Sequence, residues 1–534
     1  MRESLLSILL GFHATLSAAE PPADAYREAI EAGVRAGVYR DVAVGRIHGT
    51  ERSTFFTGSA SAESRFELGA VTEVFTGTLL AQCALEGRLR LQSSLRERLP
   101  RLSFADPALG AATLEALATH RVALPTVPPN LLPSDPEDPY AGFGDAELRS
   151  LLANYRLGGR AATGYSPLQF GLIGEAIGGN DGGFASLLRD KVLAPLGLKH
   201  SDFEDEGLLD AHARGTLAKH WHFGAIAASS GLRSTPGDLL DFLQANLRPE
   251  NSPIRAALLL ARQPRETNDS ALGWNITNAG SADQNWPILW RASVTAGFSA
   301  FIGFRTDRQH AVVLLGDTDG DLSAIGMAML DERPPPPAPR VREAEARTAP
   351  LTEYTGLYKI GGGGELIIRE RHQDLFLQLR GEPAVRLFSD GQDIFDAGLD
   401  GVSVSFQREG SSVVNLVLSQ AGINVLAHRL TERAPRLARN ATALDATVRD
   451  QVAGDFQLGP DILLRIAKRG VELDMQITAR PAVSLFALSA DRFACEDDGC
   501  ELVVRRDTDR KVTGLEVDFA GGERFAPRVQ WSKP

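Results

Sequence analysis

Arg65-Phe66-Glu67-Leu68-Gly69-Ala70-Val71-Thr72-Glu73-Val74-Phe75-Thr76-Gly77-Thr78-Leu79-Leu80, running on to Gly87, is the stretch that decides the fold. Val71, Val74, Phe75, Leu79 and Leu80 recur at helical spacing, and Gly87 is a natural stop. The helix begins near Ala70, so Glu73 lies one turn further on beside it, whereas Thr72 points roughly 200° away around the axis at ~100° per residue.

Five further segments carry recognisable landmarks. They are His120-Arg-Val-Ala-Leu124-Pro125, Gly164-Tyr165-Ser166-Pro167 with Phe170-Gly-Leu-Ile-Gly174, Ala194-Pro195-Leu196-Gly197-Leu198, Gly231-Leu-Arg-Ser234-Thr235-Pro-Gly-Asp238-Leu239, and Leu289-Trp290-Arg291-Ala292-Ser293-Val294-Thr295-Ala296-Gly297-Phe298. In this order the set resembles the serine β-lactamases and penicillin-binding proteins, from about Phe66 to Leu315. That family carries Ser-x-x-Lys at the start of the helix, where the dipole favours a serine anion and the lysine takes its proton. Here those two positions hold Ala70 and Glu73, and no Ser-x-x-Lys occurs elsewhere. The family's Tyr-Ser-Asn element survives as Tyr165-Ser166, with Pro167 in the asparagine position. Its Lys-Thr-Gly or His-x-Gly triplet is replaced by Arg291-Ala292-Ser293. The scaffold elements are kept and the chemical ones are lost.

The resemblance therefore implies a vestigial catalytic set: Ala70, Glu73, Tyr165, Pro167, Arg291 and Ser293. Acyl transfer needs a nucleophile, a base and donors for the oxyanion. Alanine supplies no nucleophile, but the backbone N–H groups of Ala70 and Val294 are still expected at the cleft, making Ala70, Tyr165, Arg291, Val294 and Thr295 the expected binding residues. Thr72 and Ser166 are weak substitutes for the missing serine, and a Glu73–Tyr165 acid–base pair would need a raised carboxyl pKa. With one charge reversed and an arginine at position 291, Glu73 and Arg291 are expected to face each other as a bidentate or water-bridged pair, the alternative being that both drift to solvent.

Beyond Leu330 the composition changes. Glu332-Arg-Pro-Pro-Pro-Pro-Ala-Pro339, continuing to Pro350, reads as a semi-rigid spacer. After it come short alternating runs such as Leu375-Phe-Leu-Gln-Leu and Val402-Ser-Val-Ser-Phe, which read as strands. Four landmarks repeat at one offset of 98 residues: Gly356 with Gly454, Tyr358 with Phe456, Pro383 with Pro481, and Phe395 with Phe493. A single register implies two copies of one small all-β unit, a closed barrel or a sandwich. D-aminopeptidases of the resembled family carry two such barrels after the catalytic domain.

The expected architecture is thus an α/β (α+β) β-lactamase/transpeptidase-like domain followed by two lipocalin-like barrels. Its divisions are a leader at 1–19, the hydrolase domain at 20–331, the linker at 332–350, and barrels at 351–434 and 435–534. The leader rests on the apolar run Leu5–Phe12 and the small residues Ser17-Ala18-Ala19, which place the protein in the periplasm or outside the cell. Net charge is −12, so nucleic acid is excluded as a partner, and no segment approaches the ~20 apolar residues of a membrane span. Cys83 reads as a core residue; Cys495 and Cys500 either close a hairpin disulfide or stand unpaired on strands. No cofactor and no metal site is expected, and His220-Trp221-His222 reads as an aromatic-rich strand rather than a ligand pair.

Three functions fit this reading. The first is a catalytically inactive envelope protein that binds a peptide, a peptidoglycan fragment or another envelope protein without covalent turnover. The second is an active serine-type hydrolase of an ester, β-lactam or D-amino-acid peptide, using an altered constellation. The third is a structural module working through its barrels, with the cleft closed.

Overall fold

The computed structural model describes residues 23–157, 164–178, 183–213, 216–265, 269–279, 286–336, 350–360, 364–371, 374–379, 385–389, 393–396, 402–420, 423–430, 444–495, 501–518 and 523–530. The expected leader and most of the proline-rich spacer lie outside them, as does Cys500.

Up to Arg333 the chain builds a mixed α/β domain around a six-stranded antiparallel sheet. Its order across the sheet is Glu51–Phe56, Val42–His48, His310–Gly316, Ser299–Arg305, Trp286–Val294, Asn275–Ala279. The strands Ser299–Arg305 and His310–Gly316 are buried along their whole length, because helices cover both faces. On one face Tyr26 and Ile30 of Ala23–Arg35 and Ile325 and Met329 of Ser323–Leu330 pack on Val44, Phe301 and Leu314. On the other lies the large helical half, with Phe242 of Pro236–Leu247 stacked between Phe75 and Trp274. The helix Thr72–Leu85 runs through the middle of this half and is buried nearly all round, which explains why its apolar residues are not confined to one face. Cys83 sits within it as a free, buried thiol.

One local expectation is corrected. His220-Trp221-His222 forms no strand; Trp221 N–H donates to Glu67 at 2.8 Å and His222 N–H to Asp138 at 2.9 Å, so side chains rather than a neighbouring strand satisfy this backbone. Thr235 caps the Pro236–Leu247 helix, accepting from Asp238 N–H in its first turn, while the Asp238 carboxylate accepts from His200 N–H and Ser201 Oγ, each at 2.8 Å.

Two closed eight-stranded barrels follow, each with every strand paired to its sequence neighbours. Strands run Gly356–Ile360 through Ile423–Arg429 in the first and Gly454–Gly459 through Glu523–Val529 in the second. Side chains fill both interiors: Tyr358, Leu366, Phe395 and Leu416 in one, Phe456, Leu464, Phe493 and Leu515 in the other. The internal repeat reappears as geometry at the same offset of 98 residues. Asp393 O accepts Phe406 N–H and Asp491 O accepts Val504 N–H, both at 2.8 Å, beside register shifts at Gln407/Arg408 and Arg505/Arg506. Cys495 is disulfide-bonded.

Glu332 and Arg333, which the composition assigns to the spacer, are still held by the first domain. Arg308 Nη1 lies 2.8 Å from Glu332, and Tyr26 OH donates to Arg333 O at 2.8 Å. The second barrel docks on the segment after Pro125. Ala479 N–H donates to Leu131 O at 2.7 Å, Gln476 Nε2 to Pro133 O at 2.7 Å, Thr478 Oγ1 to Pro129 O, and Tyr155 OH to Asp461 at 2.9 Å. Among the described residues no helix is long and apolar enough to cross a membrane.

Candidate functional site

Ala70 lies on the short 3-10 turn Gly69–Val71 that leads into Thr72–Leu85. Gly69 adopts φ +48°, and a Cβ there would collide with Ser293 Oγ, so only glycine fits where the turn presses against the strand Trp286–Val294. Arg291 and Ser293 stand two apart on that strand and share a face. Both grip the Ala70 peptide: its N–H donates to Ser293 Oγ at 2.8 Å, and its carbonyl receives Arg291 Nε at 3.4 Å. Thr72 faces away as expected, its hydroxyl accepting Leu232 N–H at 3.0 Å.

Glu73 is fully buried and ringed by donors. Arg291 Nη2 contacts Oε2, His120 Nε2 lies 2.9 Å from the same oxygen, and Ser229 Oγ donates to Oε1 at 2.8 Å. Glu73 and Arg291 therefore do meet across the site, directly and through one nitrogen. The pair is not a bidentate fork: Ser229 donates to the second carboxylate oxygen, and Arg291 Nη1 turns to Asn275 Oδ1 at 3.2 Å. His120 Nε2 also lies 3.2 Å from Arg291 Nη2, but guanidinium only donates. The shorter contact pairs this nitrogen with Glu73, and Nδ1 is buried without a hydrogen-bond partner among the described residues.

Tyr165 closes this cluster from above. Its ring centroid lies 5.3 Å from Arg291 Cζ and 5.0 Å from the His120 ring. The residue is 41% exposed, yet desolvation at its ionisable end, followed by the negative charge of Glu73, pushes the phenol well above its usual range. It is a neutral hydrogen-bonding group at any physiological pH. Ser166 is no substitute nucleophile: it is buried and donates to Pro125 O at 2.6 Å. Pro167 opens the helix Pro167–Gly178, a position where the missing N–H of proline is tolerated, and it offers the cleft no donor.

Over the floor lies an open cleft of about 580 Å³, lined by Ala70, His120, Tyr165, Trp290, Arg291 and Val294 among others. Val294 is 45% exposed and forms one lip. Thr295, expected at the binding surface, is buried instead, its N–H donating to Phe298 O at 2.8 Å where the chain turns into the next strand. Of the residues expected here, Ala70, Glu73, Tyr165, Arg291, Ser293 and Val294 come together. His120, Ser229 and Asn275 complete the site without having been singled out for it. The readable signal was the carboxylate itself, because a buried Glu73 needs neutralising donors.

Chemically the floor has no nucleophilic atom at Ala70. Ser293 Oγ is bonded to a backbone N–H rather than a base, and Ser229, which does touch a carboxylate, is sealed from solvent.

The Beta-lactamase family model matches residues 24–346. Among solved structures the chain is similar to a class C beta-lactamase, with a TM-score of 0.50 and 16% identity over 58% of this chain and 94% of that one. No curated protein matches the sequence. The strand order, the Ala70 helix and the cleft between them, together with a family match covering more than half its length, place this chain in the Beta-lactamase family.

Proposed function

We propose that this protein binds a peptide or a peptidoglycan-derived fragment in its cleft without forming a covalent intermediate, and does so in the periplasm or outside the cell. The observation that carries this reading is an alanine at the nucleophile position on the floor of a cleft that remains open. Glu73 supports it, because a carboxylate held by Arg291, His120 and Ser229 is not free to work as a base. A purely structural module is less well supported, since among the described residues no side chains fill the space above Ala70. The test is incubation of the full chain with a fluorescent penicillin and a fluorophosphonate, then denaturing electrophoresis. No labelled band is expected from either reagent. A band that disappears on competition with unlabelled penicillin would establish covalent chemistry and overturn the proposal.

A further inference from the structure

Ala70 lines the floor of an open cleft, and its N–H lies on the 3-10 turn that leads into the helix Thr72–Leu85. Such a donor ordinarily receives an anionic or carbonyl oxygen from a ligand. Here it is already taken. Ser293 Oγ accepts it at 2.8 Å, wedged so closely against Gly69 that no other residue would fit there. The Ala70 carbonyl is held from the same strand by Arg291, and Arg291 is itself engaged by Glu73 and Asn275. Among the described residues, neither the Arg291 guanidinium nor the Ala70 N–H is thus left free at this point of the floor.

We propose that Ser293 is a specificity-determining residue, an internal stopper whose hydroxyl occupies the place of a ligand oxygen on Ala70 N–H. This deepens the reading of the cleft as a site of non-covalent binding and rests on it. Ligands that depend on delivering a carboxylate, phosphonate or strained carbonyl oxygen to the floor are refused. Ligands held by the lips, where Tyr165, Trp290 and Val294 offer aromatic and apolar surface, are admitted. Removing the hydroxyl leaves a buried N–H unpartnered, and an unsatisfied donor gains far more from a ligand oxygen than a satisfied one does.

The experiment titrates phenylphosphonate into the full-length protein and into Ser293→Ala and Ser293→Gly. Calorimetry gives the affinity, and selective 15N-alanine labelling follows the Ala70 amide. Both variants are expected to bind at least about tenfold tighter than the wild type, with the Ala70 amide shifting, while the wild-type amide stays still. Equal affinity in all three proteins overturns the proposal, as does binding to the variants without any Ala70 response. The wild-type arm decides by itself if a variant does not fold: a saturable shift of its Ala70 amide shows that the donor was never capped. Covalent labelling of the wild type by penicillin would strike the non-covalent reading instead and leave the Ala70 titration to be judged separately.

Discussion

The cleft and each of the two barrels hold an arginine against a carboxylate, and water reaches the three contacts to very different extents. In the cleft, Arg291 and Glu73 keep side-chain exposures of only 6% and 0%. In the first barrel Arg408 and Asp393 are each 20% exposed, with Nε 2.8 and 3.0 Å from the two carboxylate oxygens. The equivalent pair in the second barrel, Arg506 with Asp491, has exposures of 17% and 47% and one contact at 2.8 Å. All three join a guanidinium to a carboxylate and differ in solvent access, and in the first barrel Arg408 Nη1 also lies 2.8 Å from a second carboxylate, Glu353. Pairing contributes little where water can solvate either partner, whereas a buried charge depends on its partner entirely.

The largest effect is expected in the cleft. Arg291→Ala strands a fully buried Glu73, and about 3 kcal/mol of stability should be lost from the first domain. The apolar pair Arg291→Met with Glu73→Leu should recover part of that loss, because it removes both charges together yet leaves Ser229 and His120 without their carboxylate. Hydrogen exchange read peptide by peptide is the suitable measurement, since a chain whose described residues form four hydrophobic cores does not unfold in one step. If Arg291→Ala leaves exchange unchanged around Thr72–Leu85, the pair is not what neutralises Glu73.

That pair also marks the limit of what the sequence could convey. The scaffold was legible because glycines, prolines and apolar spacings specify backbone locally: Gly69 at positive φ, the buried helix after Ala70, and Gly87 at φ +70°. The barrels were legible because two copies in one chain check each other. Glu73 and Arg291 could be set opposite each other from the family register alone. Their partners could not. Ser229 and Asn275 lie in no motif, and their roles depend on which carboxylate oxygen and which guanidinium nitrogen are left over. His120 opened a motif yet was read as scaffold, and its contact with Glu73 arises from a fold across 47 residues. Thr295 went the other way: strand register placed it beside the site, and the turn to Phe298 buried it.

Arg408→Ala tests the intermediate case and adds a pH signature. Hydrogen bonding from Arg408, ahead of that from Tyr354, holds the Asp393 carboxyl below its ordinary value. A carboxyl depressed by folding stabilises the fold above its unfolded pKa, and that contribution is lost as pH falls through the folded value. At neutral pH the variant should weaken the first barrel by about 1 kcal/mol after allowing for partial exposure. Below about pH 4, the ordinary carboxylate range, the gap between wild type and variant should shrink. A gap that stays constant from pH 7 to pH 3 would mean that Arg408 acts by packing against Tyr354, 5.4 Å from its ring centroid, and not through Asp393 or through Glu353, 2.8 Å from its Nη1.

The smallest effect belongs to the second barrel, where the comparison is sharpest because the repeat supplies its own control. Arg506 occupies the position of Arg408, beside the same register shift, and faces the carboxylate equivalent to Asp393. Nearly half of the Asp491 side chain is in water, so Arg506→Ala leaves a carboxylate that solvent can satisfy. About 0.5 kcal/mol or less should be lost, and raised salt should remove most of it. Arg506 also donates to Gln451 Oε1 at 2.7 Å and to Arg510 O at 2.9 Å, two neutral acceptors whose bonds salt does not screen. If Arg506→Ala weakens its barrel as much as Arg408→Ala does, and does so equally at low and high salt, those neutral bonds rather than the ion pair fasten the strands, and exposure would no longer explain the ranking of the two barrels.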